Sequence, residues 1–484
     1  MRKVTINPIT RLEGHGKIEI FLDDEGNVAN AYLQIPELRG FEKFCEGRRV
    51  EEMPDITCRI CGVCPEAHHM ASTKTLDAVF HIEPTEAAKK IRELLYSAFY
   101  VADHTTHFYI LAGADFIVGP EAPPDERNIL GLIAKVGKEV GLSVVKHRLM
   151  AHKIIQMIGG RQVHPTFGLP GGVSKPLSEV EREEIEKIAK EEVEFAKFTL
   201  KLFEDIVLKN YVDLILSDAY TLQTYYMGTV DKNNHVNFYE GKIRVVGPDG
   251  NEFVKYDPKD YLDHIAEHVE PWSYLKFPYL KKVGWKGFVG GKESGVYQAT
   301  PLARLNAAEG MATPLAQEAY EKMYETLGGK PVHNTLATHW ARVIEIMYAA
   351  ERLLELSQDP GVTDSNVRQI PADKPTEGVG EVEAPRGTLT HHYKTDEKGI
   401  VEKVNLIVGT TNNNAPISIS IKQAAQGLIK KDKVSEGLLN RVEMAFRAYD
   451  PCMACATHTL PGKMPLEVRI YSRQMKLIKT ITRI

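Results

Sequence analysis

The sequence predicts an α+β protein, predominantly helical. A bundle of long helices forms its core, small sheets and hairpins lie at the periphery, and the N- and C-terminal segments build a metal site. Three observations carry this prediction. Apolar residues recur at helical spacing through most of 84–210 and again over 314–357. Strict alternation is confined to short stretches separated by turn-rich, glycine-bearing segments. Two Cys-x-x-Cys pairs, Cys61/Cys64 and Cys452/Cys455, stand almost a whole chain apart.

Residues 1–35 alternate through Lys17–Leu22, pass the turn-rich Asp23–Asn27 and alternate again through Val28–Leu33, which predicts a β-hairpin. Thr10-Arg11-Leu12-Glu13-Gly14-His15 precedes it, charged and glycine-hinged. Residues 36–60 read as a charged connector into the first cysteine pair. Thr85 is the expected N-cap of a helix running towards Phe116. A second helix is expected over about 126–158, stopping at Gly159-Gly160. The third is the clearest: Ser178 and Glu181 form a capping box, and Ile185, Ile188, Ala189, Val193, Ala196, Leu200, Phe203 and Val207 share one face. Its Glu and Lys face reads as solvated surface. Pro248-Asp249-Gly250-Asn251 predicts a second hairpin within a β and loop region over 236–300. Helices follow over about 314–328 and 335–357, then a polar loop over 359–380. Residues 386–408 read as strand, loop and strand, and a last helix over about 434–448 runs into Asp450-Pro451. The expected organisation is one domain over 1–458, comprising an N-terminal β region (1–60), a helical bundle (84–210), the 236–300 insertion, and helices with the C-terminal site segment (314–458). Residues 459–484 form an extension beyond it.

The chain has 484 residues, 43% hydrophobic and 26% charged, the composition of an ordinary globular protein with a large core. A net charge of −5 and the lack of a basic stripe argue against a nucleic-acid partner. No apolar run reaches the roughly 18 residues of a membrane span, and the N-terminus lacks a signal-peptide core. A cytoplasmic location is the resulting expectation. Six cysteines in so long a chain make no disulfide framework and suit metal binding in a reducing compartment. Cys45 and Cys58 fall outside the two pairs and read as ordinary thiols.

Four thiolates from two Cys-x-x-Cys turns complete a soft ligand set for one transition-metal centre. Spacing alone points to structural zinc or a simple iron–sulfur site more often than to a catalytic centre. Two features point further. The pairs come from opposite ends of the chain, and charged residues surround them: Arg59, His68, Asp450 and His458.

The motifs Arg59-x-Cys61-Gly62-x-Cys64-x-x-x-His68 and Asp450-Pro451-Cys452-x-x-Cys455-x-x-His458 resemble those of nickel–iron hydrogenase large subunits. Arg11-Leu12-Glu13-Gly14-His15, Arg39-Gly40-Phe41-Glu42 and Glu383-Ala384-Pro385-Arg386-Gly387 resemble further family motifs in the expected order. Within the family the chain is most similar to the cytoplasmic archaeal type that reduces methyl viologen and not deazaflavin. The resemblance implies reversible, heterolytic cleavage of molecular hydrogen. It implies that Cys61, Cys64, Cys452 and Cys455 bind nickel, and that Cys64 and Cys455 also hold an iron carrying carbon monoxide and cyanide. Glu13 would relay the proton from Cys452. Arg386, preceded by Pro385 and held by Asp103 and Asp450, would stand over the open position. His68 would hydrogen-bond near a bridging sulfur. Glu42, the carbonyl of Leu406 and His458 would bind a second ion, usually magnesium. His104 and His107 read as core or surface histidines.

The same resemblance implies two kinds of partner, the iron–sulfur small subunit of a hydrogenase with further electron-acceptor subunits, because this chain has too few cysteines for its own electron wire. It also implies nickel chaperones and an endopeptidase that removes residues 459–484 just past His458. Two other readings compete: a metal-free, quinone-reactive subunit of the complex I kind, and a zinc-stapled interaction protein.

Overall fold

Four long helices carry the periodicity read from the sequence: Glu86–Thr105, Lys138–Gly159, Glu179–Leu202 and Thr338–Gln358. They belong to a computed structural model that describes residues 2–431, 433–458, 466–474 and 476–483. Thr85 caps the first helix by accepting from the Ala88 N–H, and Glu179–Leu202 opens on the expected reciprocal capping box of Ser178 and Glu181. The apolar stripe Ile185, Ile188, Ala189, Val193 and Ala196 is buried. Its opposite face carries solvated pairs such as Lys190–Glu186 at 2.8 Å. Thr338–Gln358 packs against Glu179–Leu202 and Glu86–Thr105 and buries every residue from Thr338 to Ala350.

Several elements differ from expectation. Instead of one helix over 126–158 there are two, Ile129–Val136 and Lys138–Gly159, because Gly137 between them takes φ +91°, a conformation open to glycine at little steric cost. The 36–60 connector winds into short helical turns from Phe41–Cys45 to Cys58–Ile60. Helices Pro65–Val79 and Asn414–Leu428 were not foreseen. Both are buried around most of their circumference, so neither shows the one-sided stripe that marks an amphipathic helix. The strand Glu377–Ala384 begins inside the segment read as a loop.

The N-terminal hairpin, Lys17–Leu22 with Val28–Gln34, gains Arg2–Ile6 as a third antiparallel strand. Ile18, Ile20 and Leu33 of this sheet share a core with Ile417, Ile421 and Phe446 of the C-terminal helices. Each such side chain contributes roughly 1.5–3 kcal/mol on full burial, and this shared core draws the two ends of the chain together. The second hairpin, Lys242–Val246 with Glu252–Tyr256, forms as expected within a larger mixed sheet. A three-stranded antiparallel sheet, Glu377–Ala384, Gly387–Thr395 and Val401–Ile407, presents Pro385-Arg386 at its first turn. Leu466–Tyr471 and Leu477–Arg483 pair as antiparallel strands. No helix among the described residues is long and apolar enough to cross a membrane.

Candidate metal centre

The first cysteine pair is a tight turn in which the N–H groups of Val63 and Cys64 donate to Cys61 Sγ at 3.2 and 3.3 Å. Pro65 then starts the helix Pro65–Val79. The second pair spans the short helix Met453–Ala456. It is tied to the N-terminal loop: Met453 N–H donates to the Glu13 carbonyl at 3.0 Å. Gly14 (φ +87°) permits that approach, since a Cβ there would stand 2.9 Å from Met453 Cβ. As a result Cys61 Sγ lies 3.5 Å from Cys452 Sγ, and Cys64 Sγ lies 3.6 Å from Cys455 Sγ. All four sulfurs fall within 4.8 Å of one another.

The four are buried and none is in a disulfide. Hydrogen bonds from Cys452, Cys455 and Cys64 pull the Cys61 thiol well below its ordinary value, while burial pushes Cys452 and Cys455 up. A metal ion displaces the remaining protons when it takes such a donor set. Beside these sulfurs is a small pocket of about 10 Å³, room for about one water-sized molecule, lined by Cys64, Cys452, Cys455, His68, Arg386, Leu389, Val408 and Thr410. Four soft donors within reach of one another fit a transition-metal centre. Cys45 and Cys58 stand outside the cluster. Burial raises their thiols to about 12 and about 11.

Arg386 is 3% exposed. Its Nη1 donates to Asp103 Oδ2 at 3.1 Å, its Nε to the Asp450 carbonyl at 2.8 Å, and its Nη2 pairs with Asp450 Oδ2 at 2.9 Å. Burial works against its charge, yet Asp103 and Asp450 hold it firmly protonated. Gly387 (φ +147°) lets this turn close on its neighbours: a Cβ there would meet the carbonyls of Gly409 and Ala299 at 2.6 and 2.9 Å. Glu13 Oε2 accepts from Cys452 Sγ at 2.9 Å and from Ala454 N–H at 3.1 Å. Burial, then the Cys61 charge, raises the Glu13 carboxyl above its ordinary value, against hydrogen bonds from Cys452 and Ala454 that lower it. His68 contacts His391 Nε2 through Nδ1 at 3.2 Å. Its Nε2 is buried without a protein partner, and burial lowers its value to about 4.

A second polar cluster lies next to the cysteines. Glu42 Oε1 accepts from Leu406 N–H at 2.8 Å and stands 3.7 Å from His458 Nε2. His458 Nε2 is 2.7 Å from the Leu406 carbonyl, and its Nδ1 is 2.7 Å from the Cys455 carbonyl. Both ring nitrogens of His458 face a carbonyl oxygen, and a neutral imidazole has only one N–H to donate. Glu42, Leu406 O and His458 thus fit a hard cation site.

A family model described as nickel-dependent hydrogenase matches residues 39–124 and 232–458, and one described as HoxL-like matches residues 3–38. The chain belongs to the nickel-dependent hydrogenase family. It is 54% identical over 484 residues to an F420-non-reducing hydrogenase iron-sulfur subunit from Archaeoglobus profundus, covering 99% of both chains. It is 41% identical over 492 residues to an F420-non-reducing hydrogenase subunit from Methanothermobacter thermautotrophicus, covering 99% of this chain and 100% of that one. The crystal structure of an NAD+-reducing NiFe hydrogenase in the H2-reduced state matches 95% of this chain and 100% of that one, with TM-score 0.90 and 36% identity.

As a nickel-dependent hydrogenase, this chain is an oxidoreductase subunit that cleaves hydrogen. The metal-free and zinc-stapled readings are not favoured, since the four cysteines converge inside a hydrogenase fold. Every site residue read from the sequence lies at or next to this centre. Beyond Asp103 and Asp450 at Arg386, the sequence reading missed other groups that hold those residues. His391 supports His68, and Lys276 Nζ stands 3.8 Å from Glu42 Oε2 and 3.2 Å from Glu267 Oε2. His104 and His107, expected as core or surface, are core residues that also brace the site, with contacts of 2.7 Å to Glu345 and 2.8 Å to Asp450.

Proposed function

We propose that this hydrogenase subunit cleaves hydrogen at a nickel–iron centre. Cys61, Cys64, Cys452 and Cys455 bind the nickel, Cys64 and Cys455 share it with the iron, and the iron carries carbon monoxide and cyanide. The observation that carries this reading is the set of four sulfurs within 4.8 Å, with a small pocket opening beside Cys64 and Cys455. When bound, the centre supplies a redox-active, Lewis-acidic position for dihydrogen. Arg386 presents a fixed positive charge to that position from one side, with Asp103 and Asp450 keeping it in place. Glu13 stands within hydrogen-bond reach of Cys452 and takes the proton from that sulfur, as a carboxyl raised by burial is suited to do. His68 tunes the donor strength of the neighbouring sulfurs. Infrared absorption of the holoenzyme is the test: sharp carbonyl and cyanide stretches are expected, and their absence alongside full hydrogen uptake would overturn the assignment.

Glu42, the Leu406 carbonyl and His458 bind magnesium in this reading, supported by the two carbonyls facing one imidazole. An iron–sulfur subunit receives the electrons. Gly62 and Val63 are exposed between buried Cys61 and Cys64, which supports a dock for it over that turn, with further acceptor subunits beyond. The six unpaired cysteines suit the reducing cytoplasm. Residues 1–458 act as one domain, and an endopeptidase removes 459–484 after nickel chaperones load the site. His458 is fully buried, whereas Ile478 in the following hairpin is 66% exposed, which favours a cut between them. Intact-mass measurement of active enzyme from its native host should give a chain ending at His458; an active chain retaining Leu477–Arg483 would contradict this.

Arg386→Lys keeps a charge but loses the fork that grips Asp103 and Asp450 together. Hydrogen oxidation should fall about 10²-fold with metal content unchanged, as read by dye reduction and elemental analysis.

A further inference from the structure

We propose that Arg304 is a positioning residue that sets the place of Arg386. Arg304 lies on the helix Pro301–Ala307 and is fully buried. Each of its five N–H groups has an acceptor. Nε donates to Glu345 Oε1 at 2.7 Å, and Nη2 to Glu345 Oε2 at 2.6 Å and the Pro385 carbonyl at 3.1 Å. Nη1 donates to Glu383 Oε2 at 3.1 Å and the Ala384 carbonyl at 2.9 Å. The guanidinium therefore grips the two peptide carbonyls immediately before Arg386. Gly228 admits the neighbouring strand to this helix, since a Cβ there would stand 2.8 Å from Arg304 Cα.

The contacts close into a ring. Glu345 also accepts from His104 Nε2 at 2.7 Å, His104 follows Asp103, and Asp103 holds Arg386 Nη1 at 3.1 Å. Arg304 thus fixes the turn that carries Arg386 and, through Glu345 and His104, the helix that carries its carboxylate partner. Charge neutralisation of Glu345 and Glu383 accounts for three of the five donors. The two on Ala384 and Pro385 serve only the placement of the turn. Lysine retains the charge with three compact donors and cannot reproduce that fork.

The inference rests on Arg386 acting on hydrogen at the centre, and a kinetic cycle on the holoenzyme tests the two separately. Deuterium–proton exchange is measured for wild type, Arg304→Lys, Arg386→Lys and the double variant, with metal content and Tm alongside. Arg304→Lys should slow exchange about 10- to 100-fold through kcat, as small misplacements of a reacting group do, and add less than about twofold when Arg386 is already lysine. Amide exchange by mass spectrometry should quicken in the peptide spanning 384–388 and in the helix segment around Asp103 and His104, and stay unchanged in elements outside this ring. Multiplicative losses in the two backgrounds, or a loss that follows metal content, would overturn the role of Arg304 alone. Normal exchange in Arg386→Lys would remove the assignment of Arg386 and the proposal with it. Should Arg304→Lys not fold, His104→Gln opens the same ring at another bond and should show the same non-additivity with Arg386→Lys; additivity there counts against the proposal.

Discussion

Cys64→Ser should yield a folded subunit with less than about a tenth of the wild-type nickel and iron and no measurable hydrogen uptake, because a hydroxyl is a poor ligand for a soft metal. The sulfur of Cys64 lies 3.6 Å from Cys455 Sγ and lines the cavity beside the cluster, so its loss removes a donor at the point where the two cysteine pairs meet. The surrounding fold should survive, since Pro65–Val79 is anchored by Met70, Leu76 and Val79 in the main core. Elemental analysis with a far-ultraviolet dichroism spectrum checks both halves. Full metal occupancy in this variant would show that the remaining three sulfurs suffice.

Glu13→Gln should lower hydrogen oxidation by about 10²- to 10⁴-fold, the range for loss of a proton-transfer group, with nickel and iron contents unchanged. The amide is nearly isosteric, so an oxygen still accepts from Ala454 N–H where the carboxylate does at 3.1 Å, and the loop keeps its backbone tie to Met453. What is lost is the ability to take and pass on a proton at the atom 2.9 Å from Cys452 Sγ. Exchange of deuterium gas with solvent protons should fall in parallel with dye reduction. If exchange persisted at the wild-type rate, protons would be leaving by another group.

Much of the local structure was legible because it is encoded locally. The capping box at Ser178 and Glu181 and the single apolar face after it announce their helix to anyone reading residue by residue. Pro65–Val79 and Asn414–Leu428 announce nothing, since burial on most sides erases the polar face that reveals a helix. The split at Gly137 was hidden for another reason: a lone glycine in a helical pattern is usually tolerated, and only its φ of +91° makes it a break.

The candidate site divides along the same line. The Cys-x-x-Cys spacing, the Glu-Gly pair at Glu13-Gly14 and the Pro-Arg-Gly turn at Pro385-Arg386-Gly387 are short motifs whose chemistry resides in neighbouring residues. Through the resemblance they carry, they pointed to the four cysteines, Glu13 and Arg386, which the fold brings close together. Arg342 and Glu345 are charged residues on a helix, yet both are fully buried because Thr338–Gln358 is packed from several directions. Arg304, Glu345 and His104 come from three separate helices, and a charge becomes a brace for a metal site only when its distant partners reach hydrogen-bond distance. Residue identity and short-range spacing carry the chemistry of this hydrogenase subunit. Which buried charges hold that chemistry in place depends on long-range packing, because burial and pairing are properties of neighbours in space that no window of sequence contains.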